Sequence, residues 1–294
     1  MKRFFILLAG LLLVTGCQKK DVQKPKQLRV TTTIAPYAYF TNRIGNQQLE
    51  VSSILPPSVD IHTFEPNPKS MENLKNIDLW VQIGIPFEEK ITPIITKLNP
   101  NITILNLSEK IPLLPINSDT EFFTPCKHSR NDRDMHTWMS PTQAENSSRV
   151  IAQTLVKIDR TRSHEYSEGL NSLLDDLAEL DRTLRMQLKD LTGSAIIVAH
   201  PSLGYFCNDY QLKQYSIECE GKEPLPQELQ KLSEKIKKEK ILCVFSQKGF
   251  DSRGARLIAK KFQLPLYELD PFASDYIANI KKLGEEIANA QSSH

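Results

Sequence analysis

Tyr166–Leu191, YSEGLNSLLDDLAELDRTLRMQLKDL, is the longest periodic stretch in the chain. Tyr166, Leu170, Leu173, Leu177, Leu180, Leu184, Leu188 and Leu191 recur at intervals of three and four, which places one apolar stripe along a helix. No proline interrupts it. At 1.5 Å per residue such a helix is about 39 Å long, roughly the dimension of a whole lobe. A coiled-coil dimer could use the same stripe. The run is single, however, and lies between two stretches of a different character, so the expectation is an intramolecular strut joining two lobes.

Upstream of the strut, strands alternate with helices. Leu28–Thr33, Leu49–Leu55, Leu79–Ile83 and Ile102–Leu107 have strand composition, and helices are expected from Pro36, from Pro68 and over Phe87–Leu98. Ser140-Pro141 with Gln143 is a capping box at the start of a further helix carrying Val150, Ile151, Leu155 and Ile158. Downstream, strands are expected at Ala195–Ala199, Gln214–Cys219, Ile241–Phe245 and Leu266–Leu269. Helices are expected at Leu203–Tyr210, Leu225–Lys238 and Ala255–Phe262, with a last one capped by Ser274. Alternation of this kind means βαβ units. The fold class is α/β, with two βα lobes of mainly parallel sheet joined by one long interlobe helix. The expected division is 1–17 signal peptide, 18–27 tether, 28–162 N-terminal lobe, 163–192 interlobe helix and 193–294 C-terminal lobe.

At 294 residues the chain is long for one core and comfortable for two lobes. Its formal charge is +2, and no basic run is interleaved with aromatics, so no nucleic-acid partner is expected. Lys2 and Arg3 precede the apolar run Phe4–Val14, which is shorter than the ~20 residues a membrane-spanning helix needs. Val14-Thr15-Gly16-Cys17 resembles a bacterial lipobox, implying cleavage before Cys17 and lipidation of its thiol. Gln18–Gln27 then reads as a flexible tether. The mature protein is expected to be exported and anchored to a membrane by lipid, at the periplasmic or cell-surface side. Cys126, Cys207, Cys219 and Cys243 remain, and an oxidising compartment permits bridges among them. Their pairing is open, with a bridge among Cys207, Cys219 and Cys243 preferred to one reaching Cys126.

Ligands of open α/β sheets bind beyond the carboxyl ends of the strands. His62 lies in the loop after the second strand, His200 directly follows Ala195–Ala199, and Asp270 directly follows Leu266–Leu269. His136 sits just ahead of the Ser140 cap, beside the carboxylate of Asp134 and the indole of Trp138, which can wall off water. Each lobe thus contributes two donors, and facing lobes would bring all four into one cleft. Three imidazoles and one carboxylate suit a first-row divalent cation, the nitrogens being of intermediate softness and the carboxylate offsetting charge. Protons compete with the ion for imidazoles below about pH 6.5, so affinity is expected to fall on acidification.

Four ordered motifs carry a family resemblance. They are His62-Thr63-Phe64-Glu65-Pro66-Asn67-Pro68, Asp134-Met135-His136-Thr137-Trp138-Met139-Ser140-Pro141, His200-Pro201-Ser202-Leu203-Gly204-Tyr205-Phe206 and Leu269-Asp270-Pro271. Together with the lipobox and the long helix, they resemble the metal-binding lipoproteins of bacterial zinc and manganese ABC importers, from about Leu28 to the C-terminus. The resemblance implies a helical-backbone metal receptor, with the ion between the lobes on His62, His136, His200 and Asp270. It further implies delivery to a membrane permease driven by a cytoplasmic ATPase, and a protein that acts as a monomer and not as an enzyme. Met135 and Pro201-Ser202 depart from frequent family residues without removing a ligand. In the family, His at the third ligand position goes with zinc and Glu with manganese. Zinc is the leading ion, and manganese or iron(II) stays open because the His-rich loop of many zinc members is here short, holding only His128.

Two rivals come from other classes. A metallohydrolase would use the same His3Asp set, but a catalytic zinc keeps an open position for water and a nearby base. A surface adhesion module would share the tether. A same-fold siderophore or haem binder would need a wider cleft lined by Arg or aromatic residues. Because a continuous helix resists hinge bending, release of the ion is expected through a local shift of loops such as that bearing Asp270.

Overall fold

Four strands, β1 (Leu28–Thr32), β2 (Leu49–Ser53), β3 (Leu79–Gln82) and β4 (Thr103–Asn106), form an all-parallel sheet in the order β2-β1-β3-β4. Helices α1 (Ala35–Gly45), α2 (Pro68–Asn73) and α3 (Pro86–Leu98) lie in the crossovers. The second half repeats the plan with β5 (Ala195–Val198), β6 (Lys213–Ser216), β7 (Ile241–Gln247) and β8 (Leu266–Leu269), in the order β6-β5-β7-β8. Its helices are α6 (Gly204–Asp209), α7 (Pro226–Ile236), α8 (Arg253–Phe262) and α9 (Tyr276–Ala290). Between the halves come α4 (Pro141–Ile158) and α5 (Ser163–Leu188), the latter followed by a 3-10 turn at Lys189–Leu191. This computed structural model describes residues 27–56, 59, 61, 64–66, 68–115, 133–217, 226–250 and 252–290. The signal segment with Cys17, the tether up to residue 26, and His62, Cys126, His128 and Cys219 lie outside the described residues. Among the described residues no helix is long and apolar enough to cross a membrane.

Near-continuous apolar strands such as Ala195-Ile196-Ile197-Val198, buried throughout, are what a sheet covered on both faces requires. In each sheet the chain moves first to one side and then back across to the other. The switch point therefore falls between β1 and β3 in one lobe and between β5 and β7 in the other, where ligand crevices form.

The stripe on α5 is buried as its spacing predicts at Tyr166, Leu173, Leu177, Leu180, Leu184 and Leu188. Packing within the chain accounts for these residues without a coiled-coil partner. Leu170 is only partly buried, and Gly169 takes the buried position instead. A Cβ at Gly169 would lie 2.4 Å from the backbone oxygen of Ile44, so α1 and α5 meet there backbone to backbone. Gly169→Ala is expected to destabilise the protein by about 1–3 kcal/mol, because the clash outweighs the ~1 kcal/mol gain in helix propensity. Urea unfolding checks this; an unchanged or raised midpoint would mean that α1 can move aside.

The lobes share more than a strut. From the second half, α9 lies against α5 with Ile280, Leu283 and Ile287 in the same buried cluster as the α5 leucines. Gly284 allows this approach, since a Cβ there would come within 2.1 Å of Leu184 Cδ2. The Tyr276 ring at the start of α9 meets Phe40 of α1 edge-on at 4.7 Å between centroids. A helix from the C-terminal half thus packs on one from the N-terminal half, and the largest buried cluster runs through both, while two smaller ones each stay within a single lobe.

Three local expectations are corrected. Only half of the capping box on α4 forms: Gln143 N donates to Ser140 Oγ at 3.1 Å, while the Gln143 side chain accepts from Asn146. The cap of α9 is Asp275, whose Oδ1 accepts from Ala278 N at 3.2 Å, in place of Ser274. Cys207 and Cys243 are buried free thiols, so the preferred bridge through either is not formed. They sit in the apolar interior on α6 and β7, where burial pushes both thiols well up. There they serve as small apolar side chains.

Candidate metal site

His136 is held from three sides. It precedes the 3-10 turn Thr137–Met139, and Ser140 then caps α4, so the residue rides on the start of a rigid helix. Asp134 Oδ1 accepts both from His136 N and from its Nδ1, each at 2.8 Å. A carboxylate can only accept, so in the neutral ring Nδ1 carries the hydrogen and Nε2 presents its lone pair. Carboxylate support of this kind orients a ligating imidazole and raises its basicity. Asp134 is itself placed by Tyr205, whose hydroxyl donates to the Asp134 backbone oxygen at 2.8 Å. Its other carboxylate oxygen needs Gly204, because a Cβ there would lie 2.4 Å from Asp134 Oδ2. Beneath the turn, Thr137 shares a 2.8 Å hydrogen bond with Tyr37, whose hydroxyl burial pushes up to about 12 and so keeps neutral.

His200 leaves the end of β5 beside the switch point of the second sheet. Ala199 N still donates to Phe245 O at 2.8 Å, and Ser202 N turns back onto His200 O. The ring is 3% exposed and lies against Phe250, nearly parallel, with centroids 6.2 Å apart. It also meets His136: the two imidazole centroids are 5.2 Å apart, with planes at 70°. The sequence places these two residues 64 positions apart, and the fold sets them in contact.

Asp270 follows β8. Its Oδ1 accepts from Phe272 N at 3.1 Å, closing an Asx turn, and its Oδ2 is 2.9 Å from Lys248 Nζ. That carboxylate holds the Lys248 ammonium above its ordinary range. The turn is fastened to the N-terminal lobe. Trp138 Nε1 donates to Pro271 O at 2.8 Å, and the indole stacks on Phe272 at 5.9 Å while touching the His136 ring at 5.2 Å. Asn279 Nδ2 fixes the Asp270 backbone oxygen from α9.

Of the four expected donors, the structure brings His136 and His200 together; the turn after Asp270 is tied to the His136 turn through Trp138, but the Asp270 carboxylate does not join the two imidazoles in a group. Among the described residues no three His, Cys, Asp or Glu side chains form a group that could hold a metal ion. His62 lies outside the described residues, although its neighbours Ile61 and Phe64 pack inward, Phe64 edge-on to Phe87 at 5.4 Å. Glu65 is exposed. Sequence reading missed Lys248 and the bridging role of Tyr205. Lys248 lies one residue past the second strand at the switch point, and that position was the available signal.

A family model, zinc-uptake complex component A periplasmic (ZnuA), matches residues 30–290. A crystal structure of ZnuA is 31% identical and superposes with a TM-score of 0.81, covering 90% of this chain and 99% of that one. The high-affinity zinc uptake system protein ZnuA of Bacillus subtilis is 26% identical over 272 residues, 87% of this chain and 84% of the relative. The manganese ABC transporter substrate-binding lipoprotein PsaA of Streptococcus pneumoniae is 25% identical over 293 residues, 96% and 90% of the two chains. The match runs from the first strand to the last helix and the two-lobed architecture is shared, so the chain belongs to the ZnuA family of periplasmic zinc-uptake components.

Proposed function

We propose that this protein is the extracytoplasmic solute-binding component of an ABC importer, capturing a divalent transition metal between its lobes and delivering it to the permease and its cytoplasmic ATPase. The ligands in this reading are His62, His136, His200 and Asp270, and zinc is the leading cargo ahead of manganese or iron(II). A lipid on Cys17 anchors the monomer, the residues up to 27 act as tether, and 28–162, 163–192 and 193–294 divide as lobe, interlobe helix and lobe. Membership of the family supports the transport role, as do the names of relatives that are zinc or manganese uptake proteins.

The observation that carries the site is the contact of two buried imidazoles, one of them with its Nδ1 engaged by a carboxylate. Two imidazoles bound tetrahedrally to one ion at ordinary metal–nitrogen distances have centroids about 5 Å apart. The 5.2 Å separation of His136 and His200 is compatible with this spacing. Donors fixed in this way need little ordering when the ion arrives. Release then proceeds through the loops of the Asp270 side, because α5 and α9 tie the lobes along their length.

Protein purified without chelator is expected to carry close to one ion per chain. The stripped form should regain about 2.7 kcal/mol of stability at an ion concentration 100 times the dissociation constant. Metal analysis followed by thermal titration reads both. A chain that takes up no ion, or that turns over a phosphoester, peptide or lactam, would overturn the reading.

A further inference from the structure

The Asp270 carboxylate has both oxygens engaged within the chain, and the two partners differ in kind. Oδ1 accepts a backbone amide inside a turn whose own backbone is fastened by Trp138 and Asn279. That partner cannot leave without dismantling the loop. Oδ2 is held by Lys248, an exposed side chain on a flexible four-carbon stem. Lys248 is placed opposite Asp270 by the sheet itself, since its backbone N donates to Leu269 O at 2.8 Å, just past the β7–β8 ladder. It also lies beyond β7, beside the switch point from which His200 emerges. A compact ammonium 2.9 Å from an oxygen, and a divalent ion on that same oxygen at about 2.0–2.2 Å, would repel one another strongly at such short range.

We infer that Lys248 is a tethered cation that competes with the incoming metal for Asp270, lowering the affinity of the site and providing a replacement partner for the carboxylate when the ion leaves. The inference rests on the reading of Asp270 as a ligand. It adds a residue that sets affinity and, through it, release: the carboxylate exchanges one cation for another and is not left bare during hand-over. The energy of an exposed Lys–Asp pair is small, so the effect is a tuning of affinity and not an on–off switch.

The test is zinc affinity of the full chain, by competition with a chromogenic chelator, for wild type, Lys248→Met, Asp270→Asn and the double variant. Lys248→Met is expected to tighten zinc about 2- to 5-fold at low salt, with the gain shrinking in 0.5 M salt, where the Debye length falls to about 4 Å. The release rate measured by stopped-flow chelation should slow with it. Asp270→Asn should weaken binding, and in that background Lys248→Met should change little, because the negative charge for which the two cations compete is gone. Unchanged or weaker binding in Lys248→Met, with Asp270→Asn still weakened, would overturn the inference and leave the ligand reading intact. No loss in Asp270→Asn would overturn both. Lys248→Arg, which keeps the charge, is expected to stay at or below wild-type affinity; a gain equal to that of Met would also overturn it.

Discussion

Trp138→Ala is expected to destabilise the protein by about 3–5 kcal/mol, the range for truncating a fully buried indole. The residue is 2% exposed and stands where aromatic groups of both lobes meet, with Tyr37, His136 and Phe272 around its ring. Its loss leaves a large cavity between elements that are far apart in the chain and cannot collapse independently. Trp138→Phe separates packing from hydrogen bonding. It keeps most of the ring but leaves the Pro271 carbonyl without its indole donor, for about 1–3 kcal/mol. Denaturant unfolding measures both, and zinc affinity should weaken in each variant because the Asp270 turn loses its tie to the His136 turn. A midpoint for Trp138→Ala within error of wild type would show that the lobes hold together without this contact.

Asp134→Ala is expected to weaken zinc binding about 10- to 100-fold, the usual loss when the carboxylate behind a ligating histidine is removed. The carboxylate does two things at once. It fixes the ring by accepting from both His136 N and Nδ1, and it settles which nitrogen faces outward. Without it, the imidazole can rotate and take the other tautomer. Asp134→Asn should lose less, because an amide oxygen in the place of Oδ1 can still accept both hydrogen bonds but carries no charge. Gly204→Ala should move affinity in the same direction with no change to any ligand, since its Cβ would press on Asp134 Oδ2. Chelator competition reads all three, with circular dichroism confirming folding. Wild-type affinity in Asp134→Ala would remove His136 from the ligand set or show that packing against Trp138 alone orients it.

How far the site could be read in advance differs residue by residue. The placement of His200 and Asp270 at strand ends was legible, because each follows closely on a strand, and the crevice rule points to that end of the sheet. His136 was legible through its neighbours, a carboxylate and an indole just ahead of a cap that does accept from Gln143 N. Lys248 was not. A lysine after a strand is ordinary surface composition, and only the register that pairs Gln247 with Leu269 sets it opposite Asp270. Likewise, nothing in Gly-Tyr at 204–205 shows that one residue gives room to Asp134 and the other holds its backbone. The expected bridge through Cys207 or Cys243 failed for a related reason: compartment chemistry permits a disulfide, but burial depth and geometry decide it.

By itself the sequence determined the periods and the punctuation of this protein. Local preferences act over a few residues, so the eight parallel strands, the helices between them and the unbroken strut of leucines follow from spacing, Pro and capping residues. Only the tertiary structure decided that α9 would return across α5 to α1 and extend one buried cluster through both lobes. The same holds for the contact between two imidazoles 64 residues apart, and for the lysine that reaches the Asp270 carboxylate. Those outcomes depend on helix crossing and strand register, and both are set by long-range packing, for which no short window of sequence carries the signal.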